Sequence, residues 1–291
     1  MDIIQQLSVE LIVVSVNVLL HFTGCFLLWK TYKRSQITTQ KLLLLHLSIS
    51  EGLINLNSVV YYVMHLCIYG QSESYNIYNI VLFYIIYPMK SLFYVIFVIM
   101  LFMTFDRLMA VVLNLRVSRT KKVLVAIWIF GLLLSVCFIL LRIYMSRSIY
   151  KLIRIIHVYL QLAFSILFVI TALLTYAIIF WKYKISRNSL EADSSNGNGQ
   201  QQHSPMHFYI PLLIVSTYVI LNATPYIIGI FIKKSNEVLF MINILHYLGY
   251  MSDALIYIFL QPKVRKELFM CCRRRNSPEP SNNITLQSIV N

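Results

Sequence analysis

The chain is poor in charged residues. Only 12% of its 291 residues are charged and only 11 are acidic, whereas 58% are hydrophobic. Water-soluble domains carry about twice that fraction of charged residues. The composition therefore excludes an ordinary soluble domain and predicts an all-α membrane protein.

Cysteine is scarce as well. None of the five cysteines lies in a loop predicted to face outward, so no disulfide framework is supported. They stand at Cys25, Cys67, Cys137, Cys271 and Cys272.

Motifs for catalysis or cofactor binding are absent. His203 and His207 have the i, i+4 spacing of a metal pair, but Pro205 between them disrupts the helix that such a pair needs. No nucleophile has a partnered histidine in a recognisable motif. We expect no enzyme activity, no metal and no cofactor.

Long apolar runs are abundant. Each run meets or approaches the ~20 residues that a helix needs to cross a bilayer. They predict a seven-transmembrane helix bundle within residues 8–261, preceded by a short extracellular N-terminus at residues 1–7. The runs lie near 8–29, 42–68, 80–105, 123–141, 155–181, 208–232 and 238–261.

Basic residues predict the orientation. Most lysines and arginines follow the first, third, fifth and seventh runs, and positively charged loops stay in the cytoplasm. We therefore expect a multi-pass plasma-membrane protein with its N-terminus outside and its C-terminus inside. The net charge of +14 then faces anionic lipid and requires no nucleic-acid partner.

The segment after the seventh run combines basic and apolar residues. Residues 262–272 have roughly helical spacing and predict an amphipathic helix on the inner leaflet. Cys271 and Cys272 next to three arginines suit palmitoylation, and two unmodified thiols are the alternative. Residues 273–291 are predicted to form a disordered cytoplasmic tail.

Two acids fall near the predicted middle of the membrane. Isolated carboxylates are costly there and usually face the bundle interior, which applies to Glu51 and Asp253. If they approach each other, we expect them to share a proton. Our hypothesis is that they form, with Asn17, a polar core that rearranges between two states. A static hydrogen-bond network that holds the helices together is the alternative.

Short motifs occur in a fixed order along the spans. They are Asn17, Leu47–Glu51, Asp106-Arg107-Leu108, Trp128, Tyr176, Pro225 and Asp253–Tyr257. Together they resemble the rhodopsin-like (class A) family of G-protein-coupled receptors. The resemblance implies an extracellular small molecule or peptide bound within the bundle and a heterotrimeric G protein as the cytoplasmic partner.

The resemblance also implies an activation switch. Arg107 is expected to pair with Asp106 at rest and to move toward Tyr176, Tyr257 or the G protein when the sixth span moves. An arginine that merely extends toward the headgroups from a helix end is the alternative.

The chain departs from the family at several positions. Leu82 replaces the third-span disulfide cysteine, and Ala223 and Ala254 replace the sixth-span tryptophan and the seventh-span proline. Tyr247 replaces the retinal lysine of an opsin, and Met89 replaces the aspartate with which aminergic receptors hold amines. The last two departures argue against those two classes.

Aromatic residues in the outer half predict a ligand pocket between helices. Lys90 lies about 26 Å before Arg107 at helical rise, close to the predicted outer mouth. It is expected to attract an anionic ligand or to extend toward the headgroups. The pocket candidates are Met89, Lys90, Phe93, Tyr94, Tyr226, Tyr247 and Tyr250.

The sequence thus predicts a receptor that binds an extracellular ligand and activates a heterotrimeric G protein. Two other functions stay open. One is a divergent, non-signalling or ligand-independent receptor partner, which Ala223 and Ala254 favour. The other is a transporter or channel, in which the intramembrane acids and Lys90 would line a permeation path.

Overall fold

A computed structural model describes residues 2–33, 39–68, 91–113, 120–144, 147–193, 206–231 and 235–275. Within these ranges the chain is helical and contains no strand. The helices are α1 (Ile3–Lys33), α2 (Thr39–Ile68), α3 (Leu92–Val112), α4 (Thr120–Tyr144), α5 (Arg147–Asp193), α6 (Met206–Thr217), α7 (Thr224–Phe231), α8 (Asn236–Leu255) and α9 (Pro262–Arg275). π-Helical turns at Tyr218–Ala223 and Ile256–Leu260 join α6 to α7 and extend α8.

Seven segments of the described chain are long and apolar enough to cross a membrane, as the sequence predicts. They are Ile3–Lys33, Thr39–Cys67, Leu92–Val112, Thr120–Cys137, Val158–Lys182, Tyr209–Gly229 and Glu237–Leu260, here called the first to seventh spans. Many of their large apolar side chains are exposed, among them Leu19, Leu132 and Phe180. So much exposed apolar surface is unfavourable in water and is what a lipid-facing bundle presents.

Several helices extend beyond the apolar runs that predicted them, and the differences matter most in the third and the fifth. The third span ends at Val112 rather than at residue 105, so Asp106 and Arg107 lie inside the helix and not at its edge. The fifth helix runs from Arg147 to Asp193, whereas the predicted span covered 155–181. Hydropathy marks only the part of a helix that lies in lipid, and good helix formers continue it on either side.

The third span occupies the centre of the bundle. It packs against the second, fourth, fifth and sixth spans, while the first span packs against the second and seventh. Its middle residues are fully buried, including Val95, Ile96, Ile99, Met100 and Met103. The C-terminal part of this buried helix therefore carries the Asp106–Arg107 pair.

Trp128 joins the fourth span to the second. Its indole Nε1 donates a 2.9 Å hydrogen bond to Nδ1 of His46. The two rings are also in tilted contact. This contact fixes the fourth span, most of whose other large side chains face outward.

The sixth span contains a π-helical turn immediately before Pro225. Proline has no N–H, so the carbonyl of Leu221 loses its usual helical donor. The backbone N–H of Thr224 instead bonds the carbonyl of Val219, and Oγ1 of Thr224 donates a 2.8 Å bond to that same carbonyl. The wider turn buries Tyr218 and Asn222 in the bundle.

The last helix, α9, docks against the bundle. Val264 is fully buried, and Nζ of Lys30 in the first span lies 3.0 Å from Oε2 of Glu267. The helix ends at Arg275, so residues 273–275 are helical although the disordered tail was predicted to begin at 273. The backbone of Cys271 and Cys272 lies in this helix. Their side chains and residues 276–291 are outside the described part.

Candidate functional site

Polar side chains occupy the inward face of the first span. Glu10, Asn17 and His21 are separated by seven and four residues, which places them along one face of a helix. All three side chains are buried. They point toward the second and seventh spans, against which the first span packs.

Glu51 and Asp253 meet in the middle of the bundle. Both are completely buried, and their carboxyl groups lie within hydrogen-bonding reach of each other. Tyr257 donates a 2.9 Å hydrogen bond from its hydroxyl to Oε2 of Glu51. Oγ1 of Thr217 donates a 2.5 Å bond to Oδ1 of Asp253. The two acids therefore link the second, sixth and seventh spans.

Each acid has a second carboxyl oxygen that those hydrogen bonds do not use. Oε1 of Glu51 and Oδ2 of Asp253 accept no hydrogen bond from any other described residue. Two carboxyl groups at this separation are stable when one proton lies between them, since two bare charges would repel each other in a medium without water. The contact is compatible with the shared proton that we expect from the sequence, and that sharing stays a prediction.

His21 joins this group and was not among the predicted site residues. Its Nδ1 lies 3.6 Å from Oε2 of Glu51 and 3.4 Å from Oγ of Ser48. Its ring also packs edge-on against Tyr257. The sequence did contain a signal, because His21 follows Asn17 by one helical turn and so shares its face.

Asn17 is connected to the acids indirectly. Its Nδ2 donates to Oδ1 of Asn55 at 3.2 Å and to the backbone carbonyl of Tyr247 at 2.8 Å. Asn55 in turn donates from Nδ2 to the backbone carbonyl of Glu51 at 2.8 Å. The predicted trio is therefore joined through Asn55, which the sequence reading missed. We call Asn17, His21, Glu51, Asn55, Asp253 and Tyr257 the polar core.

The C-terminal part of the third span carries an ion pair. Nη2 of Arg107 donates a 2.8 Å hydrogen bond to Oδ2 of Asp106, and the arginine side chain is only 15% exposed. Tyr176 lies close enough for the guanidinium to act on its hydroxyl electrostatically. Nζ of Lys182 donates to the carbonyl of Val112 and so caps the end of the helix.

Tyr257 lies apart from this ion pair, and the expected movement of Arg107 toward it on activation stays a prediction. Its hydroxyl bonds to Glu51, and its ring is completely buried in the polar core. Of the two tyrosines expected to receive Arg107, only Tyr176 is in electrostatic contact with it here.

The described pocket candidates form two separate groups. Tyr94 stacks edge-on with Phe93 and Phe164, and the hydroxyl of Tyr226 donates to Oε1 of Gln161 at 3.1 Å, which places this group between the third, fifth and sixth spans.

The other group lies between the second and seventh spans. The hydroxyl of Tyr247 is 2.8 Å from that of Tyr62. Tyr250 is fully buried and packs its ring against His246. Met89 and Lys90 lie outside the described residues.

The described residues offer no metal centre, since nowhere in them do three or more His, Cys, Asp or Glu side chains come together. No protein-family model matches the chain, and no curated protein matches it. Function therefore has to be inferred from the polar core, the Asp106–Arg107 pair and the outer clusters.

Proposed function

We propose that the chain is a divergent rhodopsin-like receptor of the plasma membrane. In this proposal it binds an extracellular ligand in the outer half of the bundle and activates a heterotrimeric G protein at the inner face. The observation that carries the proposal is the Asp106–Arg107 ion pair at the inner end of the central third span, in electrostatic contact with Tyr176.

The ion pair has the properties of a two-state element. Asp106 is buried and joined to a permanently charged guanidinium that keeps partial access to the inner surface. Nε of Arg107 has no hydrogen-bond partner, so the bidentate arrangement that would lock the guanidinium to the acid is incomplete. A docking protein that offers acceptors can therefore compete for this group.

The polar core couples the second, sixth and seventh spans through hydrogen bonds. Thr217 of the sixth span bonds Asp253 of the seventh, and Tyr257 of the seventh bonds Glu51 of the second. Any displacement of the sixth span relative to the seventh must stretch or exchange the bond between Thr217 and Asp253. Such discrete exchanges, rather than continuous deformation, are how packed cores change state.

The test is ligand-independent G-protein activation by wild type and by Arg107→Ala. We expect the substitution to reduce nucleotide exchange to the background of cells without the receptor. The matched control is Lys121→Ala, since Lys121 is an exposed cation of the fourth helix beyond the same end of the third span. Equal activity of wild type and Arg107→Ala, at equal surface expression, would favour a non-signalling receptor partner instead.

Proton-coupled transport is a second candidate function. The grouping of His21, Glu51 and Asp253 favours it, because ionisable residues inside a bundle also serve as proton relays. Purified protein in vesicles with an imposed pH gradient separates the two functions. A proton flux that Glu51→Gln abolishes would support transport, whereas impermeable vesicles leave the receptor as the proposal.

A further inference from the structure

Glu10 is a buried carboxylate that the polar core does not use. It lies seven residues before Asn17, or about 10 Å along the helix toward the predicted outer surface. Only 5% of its surface is exposed. An acid inside the outer half of the bundle calls for an explanation. Burying a charged group there costs free energy, and the acids found in such places usually serve a function.

Neutral groups from two other spans converge on this carboxylate. Nδ2 of Asn243 in the seventh span donates a 3.0 Å hydrogen bond to Oε1 of Glu10. The hydroxyl of Tyr62 in the second span is near enough to interact with Glu10 electrostatically. Glu10 is thus bonded from the seventh span and faces the second.

The donors of this cluster can be aimed at the acid. An ionised carboxylate only accepts hydrogen bonds, and Asn243 donates one to it. The hydroxyls of Tyr62 and Tyr247 lie 2.8 Å apart, and either can donate to the other. With Tyr247 as the donor, the hydroxyl hydrogen of Tyr62 is left to face Glu10.

No cation balances that charge among the residues that the structure describes. The ion pairs found there join Lys30 to Glu267 and Arg107 to Asp106, and neither includes Glu10. Asparagine and tyrosine donors orient a carboxylate but do not neutralise it. A buried charge without a partner is unfavourable, and this cost is recovered when a cation binds.

Aromatic rings surround the hydroxyl groups of this cluster. The rings of Tyr62 and Tyr247 meet edge to face with centroids 6.2 Å apart, and Tyr61 stacks on Tyr62 at 5.2 Å. Tyrosine faces attract ammonium groups through the ring quadrupole. A carboxylate with aromatic neighbours is the combination that recognises an organic cation.

We propose that Glu10, Tyr62 and Tyr247 bind the ammonium group of an extracellular organic cation. This assignment rests on the proposed function, which places the ligand in the outer half, and it specifies the ligand's chemistry. Met89 stands where aminergic receptors have the third-span aspartate, so that carboxylate is absent here. Glu10 offers a carboxylate from the first span instead. The site therefore selects for cations and against the anionic ligand that Lys90 suggested.

The experiment measures thermal stabilisation of the purified full-length protein in detergent micelles. The probes are phenethylammonium, 2-phenylethanol and phenylacetate, which are similar in size and differ in charge. A ligand that binds only the folded state raises Tm with its concentration. We expect phenethylammonium to raise Tm in a saturable way at millimolar concentration, and the alcohol and the carboxylate to have no effect.

Two substitutions locate the binding. Glu10→Gln keeps an acceptor for Asn243 and removes the charge, so it should weaken phenethylammonium binding by about tenfold or more. Glu237→Gln is the matched control, because Glu237 is an exposed acid at the start of the seventh span, and it should bind the amine like wild type. Tyr62→Phe keeps the ring and loses the hydroxyl, and we expect a smaller loss of severalfold.

The outcomes separate this assignment from the receptor function. No G protein takes part in the measurement, so Arg107→Ala should bind phenethylammonium even if it cannot signal. Equal Tm shifts for the amine and the alcohol would overturn the assignment, as would an undiminished shift in both Glu10→Gln and Tyr62→Phe. Stabilisation by phenylacetate alone would also overturn it.

Discussion

The hydroxyl of Tyr257 donates a 2.9 Å hydrogen bond to the carboxylate of Glu51, from a position 206 residues further along the chain. The bond joins the C-terminal part of the seventh span to the second span in the interior of the bundle. Tyr257 belongs to the second π-helical turn, so the contact lies where the seventh span changes its pitch. It is the contact that we expect to exchange first if Tyr257 moves toward Arg107.

Tyr257→Phe should destabilise the protein. The change leaves Oε2 of Glu51 without its hydroxyl donor in a completely buried site, which costs about 1–3 kcal/mol. The measurement is Tm in detergent without added ligand. Tyr159→Phe is the control, because Tyr159 lies on the exposed face of the fifth helix. The same Tm for both variants would show that the bond contributes nothing.

Neutralising either buried acid should change signalling more than folding. Glu51→Gln and Asp253→Asn each keep one carboxyl group opposite an amide, so a hydrogen bond between the two side chains can persist. If the polar core switches between two states, each variant should shift basal G-protein activation about fivefold or more, the range of an allosteric coupling of 1–3 kcal/mol. The direction need not be the same for the two variants.

The comparison requires equal surface expression of the two variants and wild type. If both variants signal like wild type at normal expression, the polar core is a static network that holds the helices together. That result would remove the switching role and leave the fold unaffected.

Gly249→Ala should disturb the contact between the sixth and seventh spans. An added Cβ would come within 3.2 Å of all three heavy atoms of the Asn222 amide, which is itself buried. Overpacking of this kind costs about 1–3 kcal/mol. Gly24→Ala is the matched control, because its nearest new neighbour would be Oγ of Ser48 at an ordinary 3.6 Å.

A double variant identifies the cause. Asn222→Ala removes the obstructing amide, whose N and O atoms have no hydrogen-bond partner in the described structure. We therefore expect Asn222→Ala to restore most of the Tm that Gly249→Ala loses. If the two losses simply add, the amide is not the obstacle.

Val264→Asp should release α9 from the bundle. Val264 is fully buried, so an aspartate there would place an unpaired charge in an apolar contact. We expect trypsin to cleave after Lys263 and Arg265 several times faster than in wild type, in detergent. Phe269→Asp serves as the control, because Phe269 is exposed. Equal cleavage rates in the two variants would mean that α9 does not dock through Val264.

Hydropathy predicted the number of spans because each apolar run is long enough to cross a bilayer. It misplaced the ends of the helices because hydropathy marks only the apolar part of each helix. Leu108–Val112 continue the third helix, and the polar stretch after Lys182 continues the fifth. The hydropathy of these two stretches does not show where the backbone stops being helical.

The candidate site was predictable only where a residue type is rare in membranes. Glu51 and Asp253 are conspicuous because they are acids inside apolar runs, and the structure brings them together. His21 and Asn55 are less conspicuous, and their roles depend on which helix faces they occupy. Thr217 could not have been found, because its bond to Asp253 depends on how the sixth span packs against the seventh.

The most direct test of the central claim is a gain of function in Asp106→Asn. Freeing Arg107 from a partly exposed ion pair worth about 1 kcal/mol should raise the active population about fivefold. The measurement is ligand-independent nucleotide exchange on heterotrimeric G proteins by receptor reconstituted in vesicles. A misfolded variant loses activity but does not gain it, so an increase that the double variant Asp106→Asn, Arg107→Ala abolishes is the predicted result. Exchange that stays at the level of empty vesicles for wild type and for Asp106→Asn, across all G-protein classes, would contradict the account.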